Sequence, residues 1–484
     1  MNKQECAIKY VEDNYLQFNR LRHDIIADKL QVRCAHPIGD RLRAPHDTSV
    51  AGDPAEAKGE RQEQWREMTK HDINSIVCHA AQEYDANITS REVMTALQSD
   101  LIPDVHPLRE YILSLQPYTP DQPDWIDLVA QKVTVKPSLL SDDRPKGLLD
   151  RTSCCETTCS TPKSHELFQG PRTLRDRTEG AERPMESLSE ACERSKAERL
   201  WRGCFKKWFV AMVASWMKDE VVNHQVLVLI GKQGIFKTTW LEHLIPPHLR
   251  AYACKLANSN DLNKDERLRI AEFGLISLDE IDSMNNRELN QLKSVITATD
   301  VNERAAYAYT KERRVRLASF CASGNRRDFL TDITGNRRWL PFEVESIQNP
   351  FTTILPYERM YAQAWALAQD PLFSYWFDLE EIEVLEQHNQ YFRDESNEEQ
   401  LLPILFDVPA EGRGEFMTTA QISERLVTYG NIKKPMALSR LGMVLGAAGY
   451  RSTRPKIGGR LIRGWLVYQR DTDEVASLRR LLKE

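Results

Sequence analysis

Val226-Leu-Val-Leu-Ile-Gly-Lys-Gln-Gly-Ile-Phe-Lys-Thr-Thr-Trp240 passes from wholly apolar to glycine-containing to cationic within one short run. Its first five residues, short, aliphatic and rich in Val and Ile, read as a strand buried on both faces of a parallel sheet. Trp240, Leu241 and Leu244 then recur at helical spacing. Strand, glycine loop and helix in that order are the context of a phosphate-binding loop. Backbone N–H groups of Gly231, Gln233, Gly234, Ile235, Phe236 and Thr239 are expected to converge on phosphate oxygens, helped by the positive end of the helix. Lys237 is expected to reach the β- and γ-phosphates of ATP, and the Thr238 hydroxyl to ligate Mg²⁺. One position departs from Gly-x4-Gly-Lys-Ser/Thr: Phe236 stands where the last glycine belongs. A side chain there is costly if the backbone turns left-handed, so Gly234 is expected to supply the flexibility instead.

Further along, Gly274-Leu-Ile-Ser-Leu-Asp-Glu-Ile-Asp282 is a second apolar run ending in carboxylates. It is expected as the strand beside the loop strand, with Asp279 in the metal shell and Glu280 as general base toward water. Val315-Arg-Leu-Ala-Ser-Phe-Cys-Ala-Ser-Gly-Asn325 reads as a third strand, placing Asn325 to sense the γ-phosphate or orient the water. Arg337 and Arg338, after a turn in Asp332-Ile-Thr-Gly-Asn-Arg-Arg-Trp339, suit an arginine finger supplied by a neighbouring subunit. Surface ion pairs are the alternative for either one. Segment 300–314 interleaves Arg304, Lys311, Arg313 and Arg314 with Tyr307 and Tyr309, a mixture suited to single-stranded nucleic acid. It is expected as a pore hairpin, with a plain surface hairpin as the alternative.

The chain has 484 residues, 41% of them apolar and 28% charged, with a formal net charge of −6. At roughly 100–200 residues per domain, two to four domains are expected. The longest dense apolar run, Phe209 to Met217, is far short of the ~20 residues of a membrane span, so no membrane association is expected. The first residues lack a basic-then-apolar pattern, so no secretory signal is expected and the cytoplasm is the expected setting. Ten scattered cysteines fit a reduced compartment. Cys154, Cys155 and Cys159 with His165 have no CxxC spacing and lie in a Ser/Thr/Pro-rich stretch, so they read as incidental thiols rather than a metal site.

Periodicity and composition divide the chain. Residues 1–135 read as a mainly helical domain with a polar insertion at 39–70, and 136–198 as a disordered linker. A P-loop core follows over 199–377, opened by a helix from Leu200 to Asp219 with an apolar stripe of Trp201, Phe205, Trp208, Phe209, Met212, Val213 and Trp216. Residues 378–411 hold 11 acidic side chains and one basic, and read as an acidic connector. Residues 412–484 hold 14 basic and 6 acidic, a net +8. Two helices and a basic hairpin there describe a winged helix-turn-helix. Its Arg451, Arg454, Lys456, Arg460 and Arg463 are positioned for DNA phosphates, with helix 436–447 toward a groove. Protein docking is the alternative use of such a module.

With these residues in place, the chain resembles the virulence-associated protein E family (VapE/VirE-like proteins). The resemblance rests on the phosphate loop, Asn263-Lys-Asp265, Leu278-Asp-Glu-Ile281, Leu292-Lys-Ser-Val-Ile-Thr297 and Phe329-Leu-Thr-Asp-Ile-Thr-Gly-Asn-Arg-Arg-Trp-Leu-Pro-Phe342. It implies an α/β P-loop NTPase core of the AAA+ or superfamily 3 helicase type. It further implies a homo-oligomer, a hexameric ring if the protein is a motor, acting with ATP and Mg²⁺ on single-stranded or forked DNA during replication of a mobile genetic element. No primase active site is visible, so a separate primase or replication protein is expected as partner. The rival reading is an ATP-switched DNA-binding regulator or replication-protein loader without strand separation. A third is a transcription regulator built on the C-terminal module.

Overall fold

The computed structural model describes residues 2–34, 64–137, 188–256, 264–303, 312–331, 336–409, 414–471 and 475. The chain opens with the Lys3–Val11 helix, closed at its start by a reciprocal capping box between Asn2 and Glu5. Four strands follow: β1 (Leu21–Asp24), β2 (Lys29–Cys34), β3 (Gln64–Glu67) and β4 (Asp104–Val105). They form a sheet in the order β3-β2-β1-β4. The Lys70–Glu83 and Ser90–Leu97 helices share a small core with the first helix through Ala7, Val11, Ile76, Ala80, Val93 and Leu97. The first unit is therefore a mixed sheet-and-helix domain, not a mainly helical one. Strands such as Leu-Arg-His-Asp and Gln-Trp-Arg-Glu are too charged to announce themselves. β3 falls inside the stretch expected as a polar insertion, whose residues 39–63 lie outside the described ones.

The packing boundary also differs from the one expected at 135. The Pro107–Ser114 and Trp125–Ala130 helices and β5 (Val133–Val135) belong to the large core, burying Leu108, Ile112, Ile126, Val129 and Val133. The central helix runs from Leu188 to Met217, starting well before Leu200, so the end of the expected linker is helical. Its Trp201, Trp208 and Trp216 are buried to 1% exposure or less. Each indole N–H finds a carbonyl: Ala130 at 2.9 Å, Phe320 at 3.1 Å and Gly274 at 3.1 Å. Paired this way, buried indoles contribute area and orientation without an orphaned donor.

The central sheet is built from β5, β6 (Val226–Ile230), β7 (Ala253–Leu256), β8 (Leu275–Leu278), β11 (Ser319–Gly324) and β12 (Trp339–Ile347); a separate antiparallel hairpin, β9 (Asp300–Glu303) and β10 (Glu312–Val315), lies between β8 and β11 in the chain. Its order is β5-β12-β6-β11-β8-β7, parallel throughout except for β5 at one edge. Leu227 and Leu229 of β6 face one core; Val226, Val228 and Ile230 face the other. Burial on both faces is why this strand has no polar alternation. β11 lies between β6 and β8, so the acidic strand is not beside the loop strand as expected. The chain leaves β6 for the β7 edge, works back to β11, then crosses to β12. Strand order reverses at β6, and ligands of open parallel sheets bind at the carboxyl ends of strands at such a point.

The acidic segment expected as a connector is folded into the structure. Glu381, on the Leu379–Gln390 helix, receives the buried Lys207 ammonium at 2.6 Å. The Asn397–Leu405 helix joins the last core through Leu402 and Leu405. That core belongs to the Thr419–Gly430 and Leu438–Ala447 helices and to strands β13 (Phe406–Asp407), β14 (Glu415–Met417), β15 (Arg451–Thr453) and β18 (Gly464–Gln469). A hairpin of β16 (Lys456–Ile457) and β17 (Arg460–Leu461) projects as a wing. Its two-residue turn, Gly458-Gly459, has φ of 57° and 81°, the left-handed pair that a tight hairpin requires. Among the described residues, no helix is long and apolar enough to cross a membrane.

Candidate functional site

A cleft of about 330 Å³ opens at the carboxyl ends of β6, β8 and β11. Gln233, Gly234, Phe236, Lys237, Thr238 and Thr239 line one side, and Asp279, Glu280, Ser323, Gly324 and Asn325 the other. Lys237, at the start of the Lys237–Glu242 helix, donates its ammonium to Gly231 O (2.8 Å), Lys232 O (2.7 Å) and Asn325 Oδ1 (3.2 Å). Burial lowers its pKa, and the carboxylates of Asp282 and Asp279 pull it back up. The loop thus folds around its own lysine.

Thr238 Oγ1 lies 3.2 Å from Asp279 Oδ1 and 2.8 Å from Ser323 Oγ, and Ser323 Oγ donates to Asp279 Oδ1 at 2.7 Å. Ser323 ends the intervening strand β11 and bridges the gap that β11 creates. Ser323 carries no motif signal of its own beyond the small polar residues that mark this strand end. Asp282 was also not assigned a role. Its two oxygens accept the N–H groups of Asn325 (3.1 Å) and Arg326 (3.0 Å), fixing the turn that presents Asn325. A Cβ on Gly324 would meet Asp282 Oδ1 and Ile230 Cδ1 at 2.8 Å, so a side chain here would push both side-chain tips aside.

Lys255 had no sequence signal at all. From edge strand β7 its ammonium reaches Asp279 Oδ2 at 2.8 Å and stands 4.0 Å from Glu242. Burial alone would raise the Asp279 pKa, but hydrogen bonds from Lys255, Ser323 and Thr238 outweigh it and hold the carboxyl low. The same bond raises Lys255. Asp279 is therefore a carboxylate with one oxygen on two hydroxyls and the other on a cation.

Two residues with side chains occupy the left-handed region at the cleft: Phe236 (φ 68°) and Glu280 (φ 53°). Such conformations cost about 1–3 kcal/mol each and gather at functional sites. Gly234 also has positive φ, at 86°, so it adds to the turn instead of relieving Phe236 as expected. Gly231 carries no spare room, since a Cβ there would sit 2.7 Å from Val344 O. The Phe236 ring does not fill the cleft. It packs against the large core and meets Phe351 edge-to-face.

Arg337 and Arg338 do not reach this cleft. Trp339, just after them, pairs with Val226 at the opposite end of β6, roughly 13 Å away at ~3.3 Å per residue. Of the expected pore hairpin, β9 and β10 form an antiparallel pair, while Arg304, Tyr307, Tyr309 and Lys311 lie outside the described residues. Arg313 pairs with Asp300, and Arg314 with Asp28 at 3.1 Å, so both arginines are engaged in ion pairs within the chain. Cys154, Cys155, Cys159 and His165 are likewise outside the described residues.

On the wing, Arg451, Arg454, Lys456, Arg460 and Arg463 are exposed. The Leu438–Ala447 helix differs from a groove-reading one. Its exposed positions are Leu438, Ser439, Met443, Gly446 and Ala447, and its Arg440 donates to Thr331 O at 3.1 Å.

A parallel α/β sheet with a phosphate-loop turn at its reversal point defines the class: a P-loop α/β domain. Residues 176–398 match the family described as the virulence-associated protein E-like domain, the same family that the motifs resemble. Solved structures similar to it include the apo structure of the NrS-1 C-terminal region (305–718), at 11% identity and a TM-score of 0.38, covering 96% of this chain and 100% of that one. The A form apo structure of the same region gives 11% identity, a TM-score of 0.37, and coverage of 94% and 98%. No curated protein matches.

Proposed function

We propose that this chain is a Mg²⁺-dependent ATPase of helicase type that acts on DNA in the replication of a mobile genetic element, in the cytoplasm. The observation carrying this reading is the convergence on one cleft of a hydrogen-bonded Lys237–Asn325 pair and a hydrogen-bonded Thr238–Asp279–Ser323 cluster. The virulence-associated protein E-like domain supports it. Thr238, Asp279 and Ser323 offer hard oxygen donors, which suit Mg²⁺. Lys255 already balances the Asp279 charge with a cation. Bound there with ATP, the metal would neutralise charge on the phosphate oxygens.

The chain's own groups supply the rest. Loop N–H groups and the Lys237 ammonium hold the phosphate tail. Asn325, braced by Asp282, orients the terminal phosphate or the water. Glu280, exposed at the cleft wall, accepts the proton of that water as its oxygen attacks phosphorus and the β–γ bond breaks. Among the described residues no arginine lines the cleft, and Arg337 or Arg338 of a second copy would complete it in a homo-oligomer such as a hexameric ring. The five wing cations suit phosphates of single-stranded or forked DNA, and the apolar helix beside them fits binding without base readout. A separate primase or replication protein would supply priming.

Lys237→Ala is the test. The expected result is loss of DNA-stimulated ATP turnover by at least ~10³-fold. Unchanged turnover would remove the enzyme reading. A second reading, an ATP-switched DNA binder or loader, is favoured by the lack of an arginine among the described cleft residues. It predicts nucleotide-dependent DNA binding with no fork unwinding.

A further inference from the structure

Phe236 lines the cleft and at the same time packs against an aromatic partner outside the phosphate loop. Its ring meets Phe351 edge-to-face, with centroids 6.4 Å apart at 79°. Phe351 in turn meets His243 at 5.3 Å and 84°. All three rings are held from behind. The Phe351 N–H donates to Asn349 Oδ1 at 3.0 Å, inside a turn closed by Thr352 and Thr353 onto Asn349 O. His243 Nδ1 lies 2.7 Å from Thr239 O, and the His243 carbonyl accepts the Tyr357 hydroxyl at 2.7 Å. Yet Phe351 itself stays 70% exposed.

The cleft therefore has two unlike walls. Asp279, Glu280, Ser323 and Asn325 form the polar one. Phe236 and Thr239 lie on the other, and the Phe236 ring touches the exposed Phe351. A nucleotide lying with its terminal phosphate at Asp279 and Asn325 runs its other end toward these rings. We propose that Phe351, backed by Phe236 and His243, is the shelf on which the nucleobase stacks; this rests on the reading of the cleft as a nucleoside triphosphate site. It also gives a reason for a side chain at 236, where the backbone favours glycine. The exposed member of the shelf, Phe351, offers an aromatic ring and no hydrogen-bonding side-chain group, so it would recognise a planar base through stacking.

The test is calorimetric titration of the full chain with Mg²⁺ and two ligands, a slowly hydrolysed ATP analogue and inorganic tripolyphosphate, which has no base. Phe351→Ala is expected to weaken the ATP analogue on the order of tenfold. It should leave tripolyphosphate within about twofold, and Phe351→Tyr should restore the analogue. Wild-type affinity for the analogue in Phe351→Ala overturns the shelf, and so does an equal loss of both ligands. Failure of the underlying site looks different: Lys237→Ala would then leave both ligands bound as in the wild type, or the wild type would bind neither.

Discussion

The two ends of the same strands are built to opposite rules. At the amino end of β6 and β11, a buried arginine and a buried asparagine are answered by carbonyls and a hydroxyl. Arg316, 1% exposed, donates Nε–H to Ala318 O at 3.1 Å, Nη2–H to Asn223 O at 2.9 Å and Nη1–H to Ile296 O. Its guanidinium also stacks on Phe320 at 5.2 Å. Asn223 binds Trp208 O and Ser319 Oγ in turn. At the carboxyl end, two side-chain-bearing residues sit left-handed, a lysine folds back onto loop carbonyls, and a carboxylate borrows a lysine from the sheet edge. One end buries its cation and pairs it. The other holds charge and strain open to solvent, which is where local rules are expected to yield to chemistry.

Glu280→Gln separates the two ends most sharply. Turnover is expected to fall on the order of 10²–10³-fold, the scale of a lost general base. Nucleotide affinity and melting temperature should stay near wild type, because Glu280 is exposed and the Gln side chain is isosteric. Single-turnover hydrolysis alongside equilibrium binding checks this. Retained turnover would mean that the strained carboxylate is not the base.

Arg316→Met addresses the closed end. It strips donors from at least three carbonyls, and an unanswered buried polar group costs about 1–3 kcal/mol. A stability loss of about 3 kcal/mol is expected, seen as a lowered denaturant midpoint. Burial lowers the guanidinium pKa to about 9, so the wild-type group is still a cation at neutral pH. ATP turnover by the protein that stays folded should be unchanged. Normal stability with impaired turnover would contradict the division of labour.

Much of the open end was legible because its chemistry is local. The apolar run of β6, the glycine loop and the Leu278-Asp-Glu-Ile281 run each carry their meaning within a few residues. What escaped depends on strand order, which no short run encodes. β11 inserts between β6 and β8, and that insertion makes Ser323 a neighbour of Thr238 and Asp279. Arg316 was hidden for the converse reason: a lone arginine at a strand start reads as surface until its carbonyl partners are assembled. The first sheet was missed because its strands are short and charged. The boundary near 135 was misplaced because helical periodicity does not say which core a helix serves.

Lys255 is where strand order and chemistry meet, and it carries the smallest predicted effect. β7 is the far edge of the sheet, yet its lysine spans to Asp279 Oδ2 at 2.8 Å. A divalent cation seeking that oxygen must compete with an ammonium already there. Removing the ammonium has two opposing consequences. Asp279 loses the partner that lowers its pKa, and the oxygen becomes free for a metal. Asp279 keeps the Ser323 and Thr238 hydroxyls, which also hold it low, so at neutral pH it stays ionised and the second consequence dominates. Lys255→Met should therefore lower the Mg²⁺ concentration for half-maximal binding of an ATP analogue several-fold, on the scale of about 1 kcal/mol for a partly exposed pair. Affinity at saturating Mg²⁺ should barely change. A higher Mg²⁺ requirement in this variant would instead make Lys255 a phosphate contact, and the two ends of the sheet would then differ in charge placement alone.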